Sequence, residues 1–210
     1  MAAERNKRPI FDVLKQYLPT GTGNAVQLLE IASGIGTHML FFTEQYPNVS
    51  WHPSELDTEC LASIKARLAS EAAAGRPRPL VAEPLQVDVS KPVEHWPAAL
   101  KGLKGQMDFM LTVNLLHISP WDCSLGLFSG AGEMLRPSSG QLFIYGPFAQ
   151  DGVLTPRSNV EFDSCLKMNN PDWGIRDIRD LETEAAREQL HLVACHEMPA
   201  NNKILVFAHN

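Results

Sequence analysis

The sequence predicts an α/β fold: a mostly parallel central sheet with helices on both faces and an antiparallel strand pair at its C-terminal end. Three observations carry that prediction. Between Val26 and Tyr145, short apolar runs alternate with segments of helical period, the pattern of successive βαβ units. Residues 107–114 are almost continuously apolar, as expected of a strand buried on both faces. The last two apolar runs, 190–197 and 203–208, are separated only by the turn-like 198–202, which suits an antiparallel return.

Taken in order, Ile10, Phe11, Val13, Leu14, Tyr17 and Leu18 recur at helical spacing and predict a first helix over 9–18, stopped by Pro19 and a loop over 20–24. Val26, Leu28, Leu29 and Ile31 predict the first strand, and 37–46 a helix rich in Phe and Leu. A short strand is expected over 48–51, ending near His52 and Pro53, then an alanine-rich helix over 57–74 with Leu61, Ile64 and Leu68 on one face. A third strand over 85–89, the strand over 107–114, a helix over 125–135, the breaker 136–140 and a strand over 141–145 follow. Beyond Gly146 and Pro147 the pattern loosens to helices near 159–168 and 179–188 and the final strand pair.

The chain of 210 residues, 44% hydrophobic and 20% charged, suits one sizeable core, and one domain over 1–210 is expected. Its parts are an N-terminal helix and lid-like segment (1–24), a ligand-binding core (25–146) and a substrate-side segment with the final strands (147–210). A net charge of −6 offers no global field for nucleic acid or anionic membrane. Arg76 and Arg78, in a Pro-rich run, read as a solvated loop. Cys60, Cys123, Cys165 and Cys195 are far apart and form no C-x-x-C pair, so neither a metal site nor a disulfide framework is expected. No apolar run reaches the roughly 18 residues that span a bilayer, and a cytoplasmic location with nuclear access by diffusion is expected. Nothing in the sequence specifies an oligomeric state.

The most informative segment is Glu30-Ile31-Ala32-Ser33-Gly34-Ile35-Gly36. Small residues at a strand-to-helix turn let a ligand approach the backbone, and the helix behind offers free N–H groups. A nucleotide-like ligand is the natural occupant. The dinucleotide fingerprint started at Gly34 would need glycine where Met39 stands, which argues against a nicotinamide or flavin oxidoreductase.

The segment resembles motif I of the class I methyltransferases, whose fold is Rossmann-like, with Glu30 as the acid and Ala32, Gly34 and Gly36 as the small positions around Ser33. The resemblance implies S-adenosylmethionine as cofactor and S-adenosylhomocysteine as product. In that family the acid engages the amino-acid end of the cofactor, and a cationic partner would give a buried Glu30 its physical reason. The family's ribose-binding acid falls on Glu55, with Asp57 as the alternative, although Asp57 equally suits the N-cap of the helix that follows. Asp88 and Val89 resemble the pair that meets the adenine, or else simply end a strand. Asn114 closes the fourth strand at the ligand edge of the sheet.

More narrowly, the chain resembles the methyltransferase-like protein 26 family from end to end. The resemblance lies in Ala3-Glu4-Arg5-Asn6-Lys7, Pro53-Ser54, Tyr145-Gly146-Pro147-Phe148, Ser158-Asn159-Val160-Glu161-Phe162-Asp163, Asn170-Pro171-Asp172-Trp173-Gly174 and Met198-Pro199-Ala200-Asn201-Asn202-Lys203. It strengthens the expectation of the cofactor more than that of any acceptor.

Methyl transfer needs alignment of the acceptor and, where required, removal of its proton. His117, just after the fourth strand, is the first candidate base; capping the loop before Ser119 and Pro120 is its structural alternative. Tyr145 either bonds an acceptor or completes the core edge. Asn201 and Asn202 either cap a turn or line the pocket, and Arg5 and Asn6, expected ahead of the first helix, either fold over the cofactor carboxylate or fray. The Asn-Pro-Pro-Tyr motif used on nucleobase amino groups is missing after the fourth strand. A small molecule or protein acceptor is therefore expected over nucleic acid, with a catalytically silent cofactor-binding protein acting through a partner as the competing reading.

Overall fold

The structure, a computed structural model, describes residues 2–19 and 25–209; the expected loop over 20–24 lies outside them. Five strands pair in parallel or close the parallel set: β1 (Val26–Ile31), β2 (Val49–Glu55), β3 (Leu85–Gln86), β4 (Phe109–Val113) and β5 (Gln141–Gly146). The last two long strands, β8 (Leu190–Met198) and β9 (Asn202–His209), are antiparallel to each other, and β9 is antiparallel to β5. Their order in the seven-stranded sheet is β3-β2-β1-β4-β5-β9-β8. A separate two-stranded piece joins β6 (Phe148–Ala149) to β7 (Arg176–Asp177), which the sequence did not signal.

Alternation along the strands builds the core on both faces. Leu28, Phe109, Leu111, Phe143 and Val206 face one apolar cluster with Ile10, Leu14, Phe42 and Trp51. Leu29, Ile31, Met110, Leu142, Ile144 and Phe207 face the other with Leu127, Phe128 and Leu181. Helices α1 (Ala2–Leu14), α2 (Thr37–Gln45) and α3 (Thr58–Ala73) precede β3 in the chain, and the short α4 (Ala98–Lys101) precedes β4. They are followed by α5 (Trp121–Met134), α6 (Arg157–Asn169) and α7 (Ile178–Arg187).

Several expectations are corrected. The first helix starts at Ala2 rather than residue 9, with Pro9 inside it. Proline suits a helix start because its missing N–H is unneeded there, and that rule misplaced the boundary. Arg5 and Asn6 therefore sit on α1 rather than ahead of it. The second strand extends to Glu55, beyond Pro53, since parallel pairing with β1 runs through Glu30↔Pro53. The third strand shrinks from 85–89 to two residues, because it pairs only with Ser54 and Glu55 at the sheet edge. Among the described residues no helix is long and apolar enough to cross a membrane.

β1 lies between β2 and β4, so the chain leaves β1 toward one side of the sheet and later returns to the other. Such a reversal opens a crevice at the carboxyl ends of the two strands, where open α/β sheets hold ligands.

Candidate functional site

The turn from β1 into α2 is built from left-handed residues at alternate positions: Ala32 (φ 58°), Gly34 (φ 55°) and Gly36 (φ 77°). Ser33 N–H donates to Ser54 O (2.9 Å) and Gly36 N–H to Ser33 O (3.0 Å). The N–H of Gly34 points across to the end of β2, donating to Glu55 Oε2 at 2.8 Å. The other oxygen of Glu55 accepts from the Leu56 and Asp57 amides at 2.8 and 3.2 Å. Three main-chain donors thus aim this half-buried carboxylate along the crevice. A Cβ on Gly34 would meet nothing within 4 Å, whereas one on Gly36 would touch Ile64 and Met39 at 3.2 Å. Gly34 therefore borders open space, and Gly36 closes the turn against α3.

Glu30 is 1% exposed. Its Oε2 accepts from Trp51 Nε1 at 2.9 Å and Ser33 Oγ at 3.0 Å, and burial pushes its pKa up to about 7. Two neutral donors, rather than a cation, are what the described residues provide for it. The role of Trp51 was not visible in the sequence, because it arises from the parallel register that brings β2 beside β1.

Asp57 serves the structural alternative: its Oδ1 accepts from Cys60 N at 2.8 Å as the N-cap of α3. Asp88 Oδ1 accepts from both the N–H (3.0 Å) and the hydroxyl (2.7 Å) of Ser90. Among the described residues its Oδ2 receives no donor and the neighbouring Val89 N–H finds no acceptor. α5 also approaches the Val89 main chain closely, since a Cβ on Gly126 would lie 1.8 Å from the Val89 carbonyl oxygen.

At the end of β4, Asn114 adopts φ 60° and its N–H donates to Tyr145 O at 2.9 Å. It stands between two adjoining cavities. The smaller, about 250 Å³, is lined by Arg5, Asn6, Pro9, Tyr145, Pro199 and the residues shared with the other, Asn114, Ala200 and Asn202. The larger, about 490 Å³, adds His117, Pro147, Ser158, Asn159, Phe162 and Asn201. Asn6 is buried on α1, where its Oδ1 accepts from His38 Nε2 at 2.8 Å, so the roof of the smaller cavity is tied to the helix behind the glycine turn. Burial raises the pKa of the Tyr145 phenol, with the Asn6 amide opposing.

The loop bearing His117 is clamped from behind. Gly174 N–H donates to His117 O at 3.1 Å, and Arg176 Nε donates to Leu116 O at 3.1 Å. The imidazole is buried, which lowers its pKa to about 4, with Arg176 adding to the effect. The Asn202 side chain caps the turn, donating to Pro199 O and Ala200 O at 3.2 Å each. Asn201 donates to Ser158 Oγ at 3.3 Å. The fold thus brings Glu30, Ala32, Ser33, Gly34, Gly36 and Glu55 together at one end of the crevice, and Arg5, Asn6, Asn114, His117, Tyr145, Asn201 and Asn202 around the cavities. In the sequence Phe162 and Asn159 stand only in the expected helix near 159–168 and in a segment of resemblance; their place in the wall depends on how α6 docks. No group of three or more His, Cys, Asp or Glu lies close enough among the described residues to hold a metal ion.

Solved structures of similar fold include the mitomycin 7-O-methyltransferase MmcR, at 15% identity over 98% of this chain and 54% of that one, with a TM-score of 0.74. An O-methyltransferase family protein from Burkholderia thailandensis matches at 15% identity over 98% of this chain and 57% of that one, TM-score 0.73. The O-methyltransferase NcsB1 from neocarzinostatin biosynthesis, in complex with S-adenosylmethionine and 2-hydroxy-5-methyl naphthoic acid, matches at 14% identity over 100% and 55%, TM-score 0.69. The chain spans about half the length of these structures, and the likeness is one of fold, the Rossmann-like class I methyltransferase fold. A family model described as Protein of unknown function (DUF938) matches residues 1–209, and the chain belongs to that family.

Proposed function

We propose that the chain is a methyltransferase that uses S-adenosylmethionine and acts on a small-molecule acceptor. The observation that carries this reading is the contact between Gly34 and Glu55: a backbone turn with open space over it, faced at 2.8 Å by a carboxylate whose aim is fixed by main-chain donors. A carboxylate so placed retains lone pairs for a vicinal diol. The unpaired Val89 N–H and the free Oδ2 of Asp88 supply one donor and one acceptor for a purine edge. Arg5 at the smaller cavity supplies a cation for a carboxylate. The donor set therefore fits the cofactor.

When bound, the cofactor supplies an electrophilic methyl group on a sulfonium centre. The chain's own residues then have three tasks. Asn114, at the junction of the two cavities, separates a cofactor end from an acceptor end; Tyr145 and Asn6 form the wall that excludes water; and His117, uncharged at neutral pH, orients the acceptor group by accepting its hydrogen bond on a ring nitrogen. In this reading residues 1–210 act as one unit, with 25–146 holding the cofactor and 147–210 the acceptor. The small molecules that the similar proteins are named for or bind, mitomycin and 2-hydroxy-5-methyl naphthoic acid, support a small acceptor, and the resemblance to the methyltransferase-like protein 26 family supports the same cofactor.

The test is calorimetric titration with S-adenosylmethionine and S-adenosylhomocysteine. Binding that disappears in Gly34→Arg, with the fold kept, is expected; a folded wild-type protein that binds neither would remove the reading.

A further inference from the structure

We propose that the larger cavity takes an uncharged, flat small molecule that presents at least two hydrogen-bond donors, such as hydroxyl groups. That this molecule is the methyl acceptor rests on the reading above; its binding chemistry does not.

Two acceptor atoms on buried side chains in the wall lack protein donors among the described residues. Asn159 is 6% exposed and donates through Nδ2 to Thr155 O at 3.1 Å and Asn201 O at 3.4 Å. Carbonyl oxygens only accept, so the amide orientation is fixed and Oδ1 is the atom left over; among the described residues it receives nothing. His117 is 7% exposed, and neither of its ring nitrogens is bonded among those residues. With its pKa lowered to about 4 the ring is neutral at physiological pH, and one nitrogen carries a lone pair. Neither atom is sealed from solvent, so water can serve both while the cavity is empty; a ligand that displaces that water must supply donors in its place, and one that supplies both gains over one lacking them.

Charge and shape narrow the class further. Among the described residues no Asp, Glu, Lys or Arg lines this cavity, whereas Arg5 lines its smaller neighbour. A charged ligand group would leave water here without a counter-charge. A volume of about 490 Å³ suits a compact ligand rather than a polymer. The ring of Phe162, still 42% exposed, lies 5.7 Å from the His117 ring at 60° and offers an apolar face for a flat ligand to cover.

Three probes that share the naphthalene ring system test this on the full chain by calorimetry without S-adenosylmethionine: 2,3-dihydroxynaphthalene, 3-hydroxy-2-naphthoate and 2,3-dimethoxynaphthalene. The dihydroxy compound is expected to bind at least tenfold more tightly than either of the others, and Phe162→Ala and His117→Phe are each expected to weaken it at least fivefold. Equal or tighter binding of the naphthoate or the dimethoxy compound overturns the proposal. So does no binding of any probe, or unchanged affinity in both variants. Parallel titration with S-adenosylmethionine separates the two readings. Cofactor binding without probe selectivity sinks the ligand class alone; probe selectivity without cofactor binding sinks methyl transfer and leaves the cavity chemistry standing.

Discussion

Nε1 of Trp51 donates to Oε2 of Glu30 at 2.9 Å, joining β2 to the end of β1 beneath the glycine turn. The carboxylate it holds is fully buried and titrates near 7 in the fold, against an ordinary value of 4.5. Below pH 4.5 both folded and unfolded states carry the proton and no cost arises. As pH rises toward 7 the unfolded chain ionises first, so stability falls, by up to about 3 kcal/mol above pH 7. Glu30→Gln should therefore gain on the wild type across this window, by roughly 6–12 °C in Tm. Thermal unfolding of both proteins at pH 4.5 and pH 8 checks it; a constant difference counts against the buried charge.

Gly34 and Gly36 both have positive φ, yet only Gly36 is crowded. An alanine at either position bears the left-handed cost of about 1–2 kcal/mol. Gly36→Ala must also displace Ile64 or Met39, adding about 1 kcal/mol or more. Urea unfolding should rank Gly36→Ala below Gly34→Ala, and the reverse order would contradict the geometry of the turn.

Gly126 lets α5 rest on the main chain of Val89. The added methyl of Gly126→Ala would meet backbone, which cannot rotate aside, so a loss of about 3 kcal/mol is expected. In a denaturant titration, a midpoint within error of wild type would show that the approach is looser than described.

Asn6 and His38 hold α1 to α2. Asn6→Ala leaves a buried ring N–H without an acceptor, a cost of about 1–3 kcal/mol. Amide hydrogen exchange should quicken along α1 more than along β4; uniform protection would mean that the apolar contacts of Ile10 and Leu14 suffice by themselves.

Much of the sheet was legible in the sequence because its central strands are buried on both faces and so appear as nearly continuous apolar runs, as at 109–113, where Thr112 alone interrupts. The β1–α2 turn was legible because Ala32, Gly34 and Gly36 mark its left-handed positions. What stayed hidden depends on register or docking. Trp51 meets Glu30 only through parallel pairing of β1 with β2, and His117 meets Phe162 only once α6 has docked against the segment that follows β4. The N-terminal helix was misjudged because Pro9 lies inside it, against the usual preference.

The smaller cavity joins positions 5–9 of α1 to the 199–202 turn before β9. During synthesis on a ribosome, the turn at 32–36 and its partner Glu55 can form while most of the chain is still unmade. The cavity has no second wall until the final hairpin has emerged and docked against β5. A nascent chain can therefore gain little from a ligand of that cavity before residues 199–209 have been made, and its earlier folding must rely on the sheet.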